Sequence, residues 1–498
     1  TLVYYNVSFL RWKCESSKPM MKFNSTRGIV KGLSLEDAIF TGYAEDGGIL
    51  LPETIPQITL DQLKAWSSLS YTELAKQIIP MFVTEEDIPR KTLNGLLDAA
   101  FSTFTHPEVA PFKHLKDNLN VMELFHGKTW AFKDLALSCV GQFYNYFCAK
   151  RKQHFIILVG TSGDTGSAAI EAVRGLKWVD IIVLLPKGRI SEIQERQMTS
   201  VIEDNVHVFR VDGTSDDLDR PVKNVLSDVE FKRQHRLSCI NSINWARIMI
   251  QTVHYFYAYL QICPSCDNEV QIIVPTGACG NVMSGCVARK MGLPVQFVCA
   301  VNKNDIVSRT ISSGDFSMTE VTPTLATAMD IQMPYNMERI WYLYSNGDTK
   351  LIRKLMQEFE NNSKTQVPEE LAVQVRKAIV DTYVGSDDDV RATMKRCWDE
   401  NGYVLCPHTA LAVAYYYDKM KRSGASDGVP SVCIATASAA KFPEATKAAG
   451  LTLSPSADVI TLLSKPTRSE DMNKGDNWEE MLRKKIEEVT QNFENRKT

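Results

Sequence analysis

Long hydrophobic runs are missing from this 498-residue chain: none approaches the roughly 20 residues needed to span a bilayer. No membrane partner is expected. Excess charge of either sign is missing too, since 56 Lys and Arg face 59 Asp and Glu for a net charge of -3. A nucleic-acid footprint needs a basic face or stripe, so that partner is not expected either. The twelve cysteines form no evident disulfide framework; they are scattered, and Cys139, Cys148, Cys299 and Cys433 sit inside apolar runs. That placement fits reduced, buried thiols and a cytoplasmic setting. Cys263-Pro264-Ser265-Cys266 has zinc-ligand spacing, but no second Cys or His pair completes four ligands, so no metal is expected. Residues 1–20 lack the basic-then-apolar order of a signal peptide and are expected to be an appendage to a pattern that opens at Met21.

What is present is the balance of a globular protein, with 44% hydrophobic and 23% charged residues. A chain this long needs more than one packed region. Residues 21–125 carry mostly helical periodicity, broken at Asp46-Gly47-Gly48 and at several prolines. From 126 to 464, short β-branched runs alternate with helical segments. This is the α/β pattern of parallel sheets with helices on both faces, here expected as two subdomains with the site between them. Buried strands are predicted at 155–159, 181–185, 206–211, 270–274, 296–300 and 431–435. Residues 350–400 predict a charged helical stretch, and 465–498 a polar helical tail anchored by Trp478.

The segment His126-Gly127-Lys128-Thr129-Trp130-Ala131-Phe132-Lys133-Asp134 sets Lys133 between an aromatic residue and a carboxylate. A lysine on a dry, apolar surface loses its proton more easily and becomes a usable nucleophile. Schiff-base formation with a carbonyl, including the aldehyde of pyridoxal phosphate, is the chemistry that most often needs one. The alternative is a surface lysine with a packed stem.

Two loops give Lys133 its weight. Gly160-Thr161-Ser162-Gly163-Asp164-Thr165-Gly166-Ser167 lies between a strand and a helix, where glycines at spacing three expose backbone N–H groups. It is either an anion site or a tight turn. It lacks the closing Gly-Lys-Ser/Thr of a Walker loop and the spacing of a dinucleotide loop. Thr276-Gly277-Ala278-Cys279-Gly280-Asn281 repeats the arrangement after another strand. Two such loops bring two anions to one sheet edge, a cofactor phosphate and a charged group of a substrate. At the end of a late strand, Thr436 offers a hydroxyl to a pyridine nitrogen or caps a helix. Arg247, in Asn241-Ser242-Ile243-Asn244-Trp245-Ala246-Arg247, clamps a phosphate or makes a surface ion pair.

In order along the chain, Ser25-Thr26-Arg27-Gly28, Asp46-Gly47-Gly48, the 126–134 segment and the 161–167 loop are followed by Leu185-Pro186-Lys187-Gly188 and Asn241 to Arg247. Ala328-Met329-Asp330-Ile331 and Lys441-Phe442-Pro443-Glu444 complete the series. From about residue 22 onward the chain resembles the threonine synthase family of fold-type II pyridoxal-phosphate enzymes (tryptophan synthase β-like), and within it an animal, synthase-like branch. The resemblance implies that Lys133 bonds the cofactor aldehyde and that Gly277, Ala278, Cys279, Gly280 and Asn281 hold its phosphate. It places Thr436 at the pyridine nitrogen and Asp164 near the phenolic oxygen. It makes Thr161, Ser162, Thr165, Lys187, Asn244 and Arg247 the candidates for the carboxylate and phosphate of an amino-acid substrate.

The sequence departs from the family in two places. Ala278-Cys279 replace the central pair of the usual Gly-Asn-Phe-Gly-Asn, and Thr436-Ala437-Ser438-Ala439 replaces Thr-Ala-His-Pro. A phosphate grip built on backbone N–H groups survives such changes. The lost bulk and the lost acid–base group bear on the later steps. Water addition to make threonine needs tighter positioning than release of an enamine. The expectation is a phospho-lyase converting O-phosphothreonine and O-phosphohomoserine to 2-oxobutyrate, ammonia and phosphate, with threonine synthase as the alternative. A non-catalytic scaffold is the remote alternative, disfavoured by the intact Lys133 and both loops.

Overall fold

A computed structural model describes residues 20–423 and 429–497. Nearly all of the expected appendage therefore lies outside the described residues. Two sheets carry the fold. The larger runs, in spatial order, Ile379–Val384, Val295–Val301, Val270–Pro275, Ser431–Ala435, Asn120–Glu123 and Phe112–His114, parallel throughout except for the last pair. The smaller runs Glu470–Met472, Val206–Val211, Val179–Pro186, Phe155–Gly160 and Leu237–Cys239, all parallel.

Side chains alternate across a strand, so a sheet buried on both faces needs apolar residues at successive positions. Phe155–Gly160 shows this directly. Ile157 and Val159 enter the main core, while Ile156 and Leu158 enter a second cluster with Val225, Leu482 and Ile486 from the helices behind. All six strands expected from apolar runs are present, with limits shifted by at most two residues.

Most strands of the two sheets that apolar runs do not reveal lie at sheet edges. Ile379–Val384 falls inside the stretch expected to be helical; it is half-exposed and carries Asp381 and Thr382. Glu470–Met472, in the expected helical tail, pairs with Val206–Val211 and is acidic. Edge strands do not need apolar residues on both faces, and charge on them blocks unwanted pairing. Phe112–His114, at the other edge, and Asn120–Glu123, paired on both sides, join the larger sheet from the region expected to be mostly helical. Trp478 does anchor the tail: its Nε1 donates to the Asn473 carbonyl at 2.8 Å, and a Cβ added at Gly213 would fall 2.8 Å from its ring.

Among the described residues no helix is long and apolar enough to cross a membrane, and no group of three metal-binding side chains occurs. The strands Phe155–Gly160, Val270–Pro275 and Ser431–Ala435 end at one cleft, lined there by Gly160, Pro275 and Thr436. Ligands of open α/β sheets bind at this kind of edge.

Candidate active site

Lys133 is the first residue of the helix Lys133–Arg151. The approach to it is a tight turn in which Asp134 accepts the N–H of Thr129 at 2.8 Å and its hydroxyl at 2.6 Å. Gly127 is required there, because a Cβ would come within 2.4 Å of the Asp134 Cβ. Asp134 is thus committed to the turn, and burial raises its pKa to about 6. The carboxylate that faces Lys133 is instead Asp164, with Nζ 3.1 Å from Oδ2. The aromatic neighbour is the expected one: Nζ lies 4.5 Å from the centre of the Phe132 ring. Desolvation lowers the pKa of Lys133, and the charges of Lys441 and Arg247 add to this against the opposing pull of Asp164.

Asp164 opens the helix Asp164–Val173 and is almost fully buried. Burial alone would raise its pKa, but the ammonium groups of Lys441 and Lys133 hold the carboxyl well below the usual range. Lys441 Nζ and Gln194 Nε2 reach Oδ1 at 2.9 and 2.8 Å. The loop before the helix is folded on itself, with Thr161 Oγ1 accepting the N–H groups of Gly163 at 3.0 Å and Gly166 at 2.9 Å. Gly163 has φ +122°, and a Cβ there would meet the Gln194 amide at 2.4 Å.

The second loop is built differently. Cys279 holds a left-handed φ of 60° and caps the helix Gly280–Lys290. Asn281 Oδ1 accepts from His254 Nε2 at 2.8 Å and Tyr255 Oη at 2.7 Å, which leaves Nδ2 buried at the cleft with no protein partner. Arg247 is 3% exposed and pairs with no carboxylate among the described residues. Its Nη1 donates to the Ile240 carbonyl at 2.9 Å, and its Nε has no partner. Burial lowers its pKa to about 10.

A buried cation and an unpaired amide donor beside a helix N-terminus call for an anion. Space agrees with that demand, since a Cβ at Gly277 would crowd the Ala328 carbonyl at 3.3 Å and one at Gly280 would crowd Ser242 at 3.1 Å. These residues fit the phosphate of pyridoxal phosphate. Thr436 lines the same cleft, and its carbonyl accepts the Phe132 N–H at 2.8 Å, tying the lysine turn to a strand end.

The structure gathers most of the expected residues around one cleft: Lys133, the 160–165 loop, Arg247, the 277–281 loop and Thr436. Two expected substrate residues are elsewhere. Asn244 does not line the cleft; its Oδ1 caps the helix Trp245–Ile262 at Ala246 N–H, and its Nδ2 donates to the carbonyls of Ile39 and Cys239. Lys187 is exposed and ion-paired to Asp471 at 2.7 Å beside a separate hollow. Ser438 also lies away from the cleft, capping a short turn through Ala440 N–H.

Several cleft groups were not expected. Asn241, inside a motif already noted, donates to the Gly160 carbonyl at 3.0 Å, and Gln251 follows Arg247 by one helical turn. His408 accepts the Ala328 N–H on Nε2 at 3.1 Å, and burial lowers its pKa to about 4, so it is neutral. Asp216 and Asp219 also line the cleft, with pKa values raised by burial to about 6 and about 7.

Comparison with known proteins agrees with this geometry. The family model for the threonine synthase N terminus matches residues 22–101, that for pyridoxal-phosphate dependent enzymes residues 107–353, and that for the threonine synthase C-terminal region residues 409–484. Threonine synthase-like 2 of Rattus norvegicus is 51% identical, over 94% of this chain and 98% of its own. The structure of pyridoxal-phosphate-bound threonine synthase from Brucella melitensis is 38% identical with a TM-score of 0.85, covering 94% of this chain and 99% of that one. Threonine synthase from yeast is 35% identical with a TM-score of 0.84, covering 94% and 98%. The chain therefore belongs to the threonine synthase family, and pyridoxal phosphate is its cofactor.

Proposed function

We propose that this member of the family is a cytoplasmic phospho-lyase that degrades O-phosphothreonine and O-phosphohomoserine to 2-oxobutyrate, ammonia and phosphate. The observation that carries the reading is the wall at Ala278 and Cys279, which offers the cleft a methyl group and a buried thiol. Burial pushes that thiol well above its usual pKa, so it is a poor proton donor or acceptor there. All eleven cysteines among the described residues are free, which suits a reducing compartment.

Pyridoxal phosphate, when bound, supplies an aldehyde carbon for the substrate amine and a ring that accepts electrons. Arg247, Asn281 Nδ2 and the N-terminus of Gly280–Lys290 would hold its phosphate, and Thr436 would face its ring nitrogen. A hydroxyl at that nitrogen cannot donate a full proton, which favours elimination over transamination. Lys133 Nζ, once displaced by the substrate amine, takes the Cα proton. Phosphate then leaves Cβ of O-phosphothreonine with the C–O electron pair, and the released enamine takes up water to give 2-oxobutyrate and ammonia. With O-phosphohomoserine a second proton is taken from Cβ, phosphate leaves Cγ with the C–O electron pair, and Cγ then gains a proton to become the methyl group of the same enamine.

Threonine synthase is the second reading, favoured by the relatives of that name. From O-phosphohomoserine both routes protonate Cγ, and threonine requires in addition that water be steered to Cβ, which calls for directing groups near the reacting carbons. His408 lines the cleft, and its Nε2 already accepts a backbone N–H. Incubation with each phosphoamino acid, followed by quantification of threonine and 2-oxobutyrate, separates the two. The proposal expects 2-oxobutyrate and phosphate in equal amounts from both; threonine as the main product from O-phosphohomoserine would overturn it.

A further inference from the structure

We propose that Lys441 is a positioning residue for Lys133: it occupies one oxygen of Asp164, so that Lys133 holds only the other and releases its proton readily. The proposal rests on the assignment of Lys133 as the cofactor-bearing lysine. Lys441 is fully buried and does not line the cleft. Its Nζ lies 2.9 Å from Asp164 Oδ1 and 2.8 Å from the Thr129 carbonyl, in the turn that carries Lys133. Lys133 Nζ lies 3.1 Å from Oδ2 of the same carboxylate.

Two ammonium groups on one carboxylate leave a net positive charge in a buried space, a costly arrangement. Its consequence follows from the charge balance. With a single lysine, Asp164 would form a neutral pair and hold that lysine protonated. With Lys441 already matching the charge of Asp164, a proton on Lys133 is opposed by both Lys441 and Arg247. Asp134, on which the Lys441 charge also acts, is tied to the Thr129 N–H and hydroxyl, with its pKa raised by burial to about 6. Gln194, on Asp164, is uncharged, and His408, which faces both Asp164 and Lys133, is neutral above about pH 4. Lys441 cannot substitute for Lys133 as the attacking amine, because its contacts are to Asp164 and the Thr129 carbonyl behind the cleft wall.

The test follows capture of pyridoxal phosphate by the full-length apoenzyme, without substrate, from pH 6 to 10. Lys133 must be neutral to add to the aldehyde carbon with loss of water, so the capture rate reports its protonation. K441M and K441Q are expected to move the midpoint of the rate profile upward by about one pH unit or more. K441R, which keeps the charge, should restore the wild-type midpoint. A neutral variant with a native near-ultraviolet circular dichroism spectrum and an unshifted midpoint would overturn the proposal. Should neither neutral variant fold, the lysine Nζ resonances of the wild-type apoenzyme decide. Lys441 remaining protonated where Lys133 is neutral supports the role, and simultaneous deprotonation contradicts it. Because no substrate is used, the outcome is independent of whether 2-oxobutyrate or threonine is formed.

Discussion

In the loop after Phe155–Gly160, the Thr161 hydroxyl takes up the N–H groups of Gly163 and Gly166, whereas beside the loop after Val270–Pro275 the Asn281 amide and Arg247 Nε are left unpaired. Both loops are short, glycine-rich and followed by a helix. The first uses its own hydroxyl to fix its shape and presents a carboxylate, Asp164, to Lys133. The second keeps its donors free and is bordered by a cation without a carboxylate partner. Glycine spacing alone does not distinguish a turn from an anion site; the fate of the donors does.

The largest effect should come from the residue the first loop faces. Lys133→Ala should lower turnover by roughly 10²- to 10⁴-fold or more and abolish the visible absorption of bound cofactor. Unchanged turnover would remove Lys133 from the chemistry. Next, the loops should respond differently to one added methyl group. Gly163→Ala forces a positive φ and a 2.4 Å contact with Gln194, so urea unfolding should show a loss of about 1–3 kcal/mol. Gly277→Ala meets the Ala328 carbonyl at only 3.3 Å. It should fold normally while cofactor affinity falls about tenfold, or about 1.4 kcal/mol. Equal losses of stability in both variants would erase the distinction between the loops.

A pH-dependent effect should appear at the entry of the first loop, where a Cβ at Gly160 would fall 2.8 Å from Asp219 Oδ1. Burial, reinforced by the charge of Asp216, raises the Asp219 pKa to about 7. A carboxyl raised in the fold favours folding while protonated, so its contribution is lost as pH rises from about 4 to about 7. Asp219→Asn should therefore stabilise the protein more at pH 8 than at pH 5, by about 1 kcal/mol or more, in urea unfolding at the two values. The smallest effect is expected at Lys187, whose exposed ion pair with Asp471 contributes less than about 1 kcal/mol. Lys187→Ala should leave both the urea midpoint and KM close to wild type.

The sequence revealed what chemistry and burial demand locally. A lysine beside an aromatic residue, small residues after strands and apolar runs covered on both faces all leave a short-range signal, and Lys133, the 277–281 loop and six strands were found that way. It did not say which residues at the start of Trp245–Ile262 face the cleft. That helix is buried from Trp245 to Leu260, so no amphipathic stripe separates Asn244, which caps it, from Arg247, which lines the site. Lys441 and His408 come from more than 270 residues beyond Lys133, and only tertiary packing gives them a role. Asp219 lies in the polar helix Ser215–Ser227, where its neighbours in sequence carry no signal of burial. Asp134, adjacent to Lys133 in sequence, was the obvious carboxylate, yet the turn uses it and Asp164 takes its place.

The central claim is that Lys133, between the two loops, carries the cofactor. Borohydride reduction of the cofactor-loaded protein, followed by peptide mass mapping, tests it most directly. A single pyridoxyl-phosphate label on Lys133 is predicted; a label on Lys441 or another lysine, with Lys133 unmodified, would contradict it.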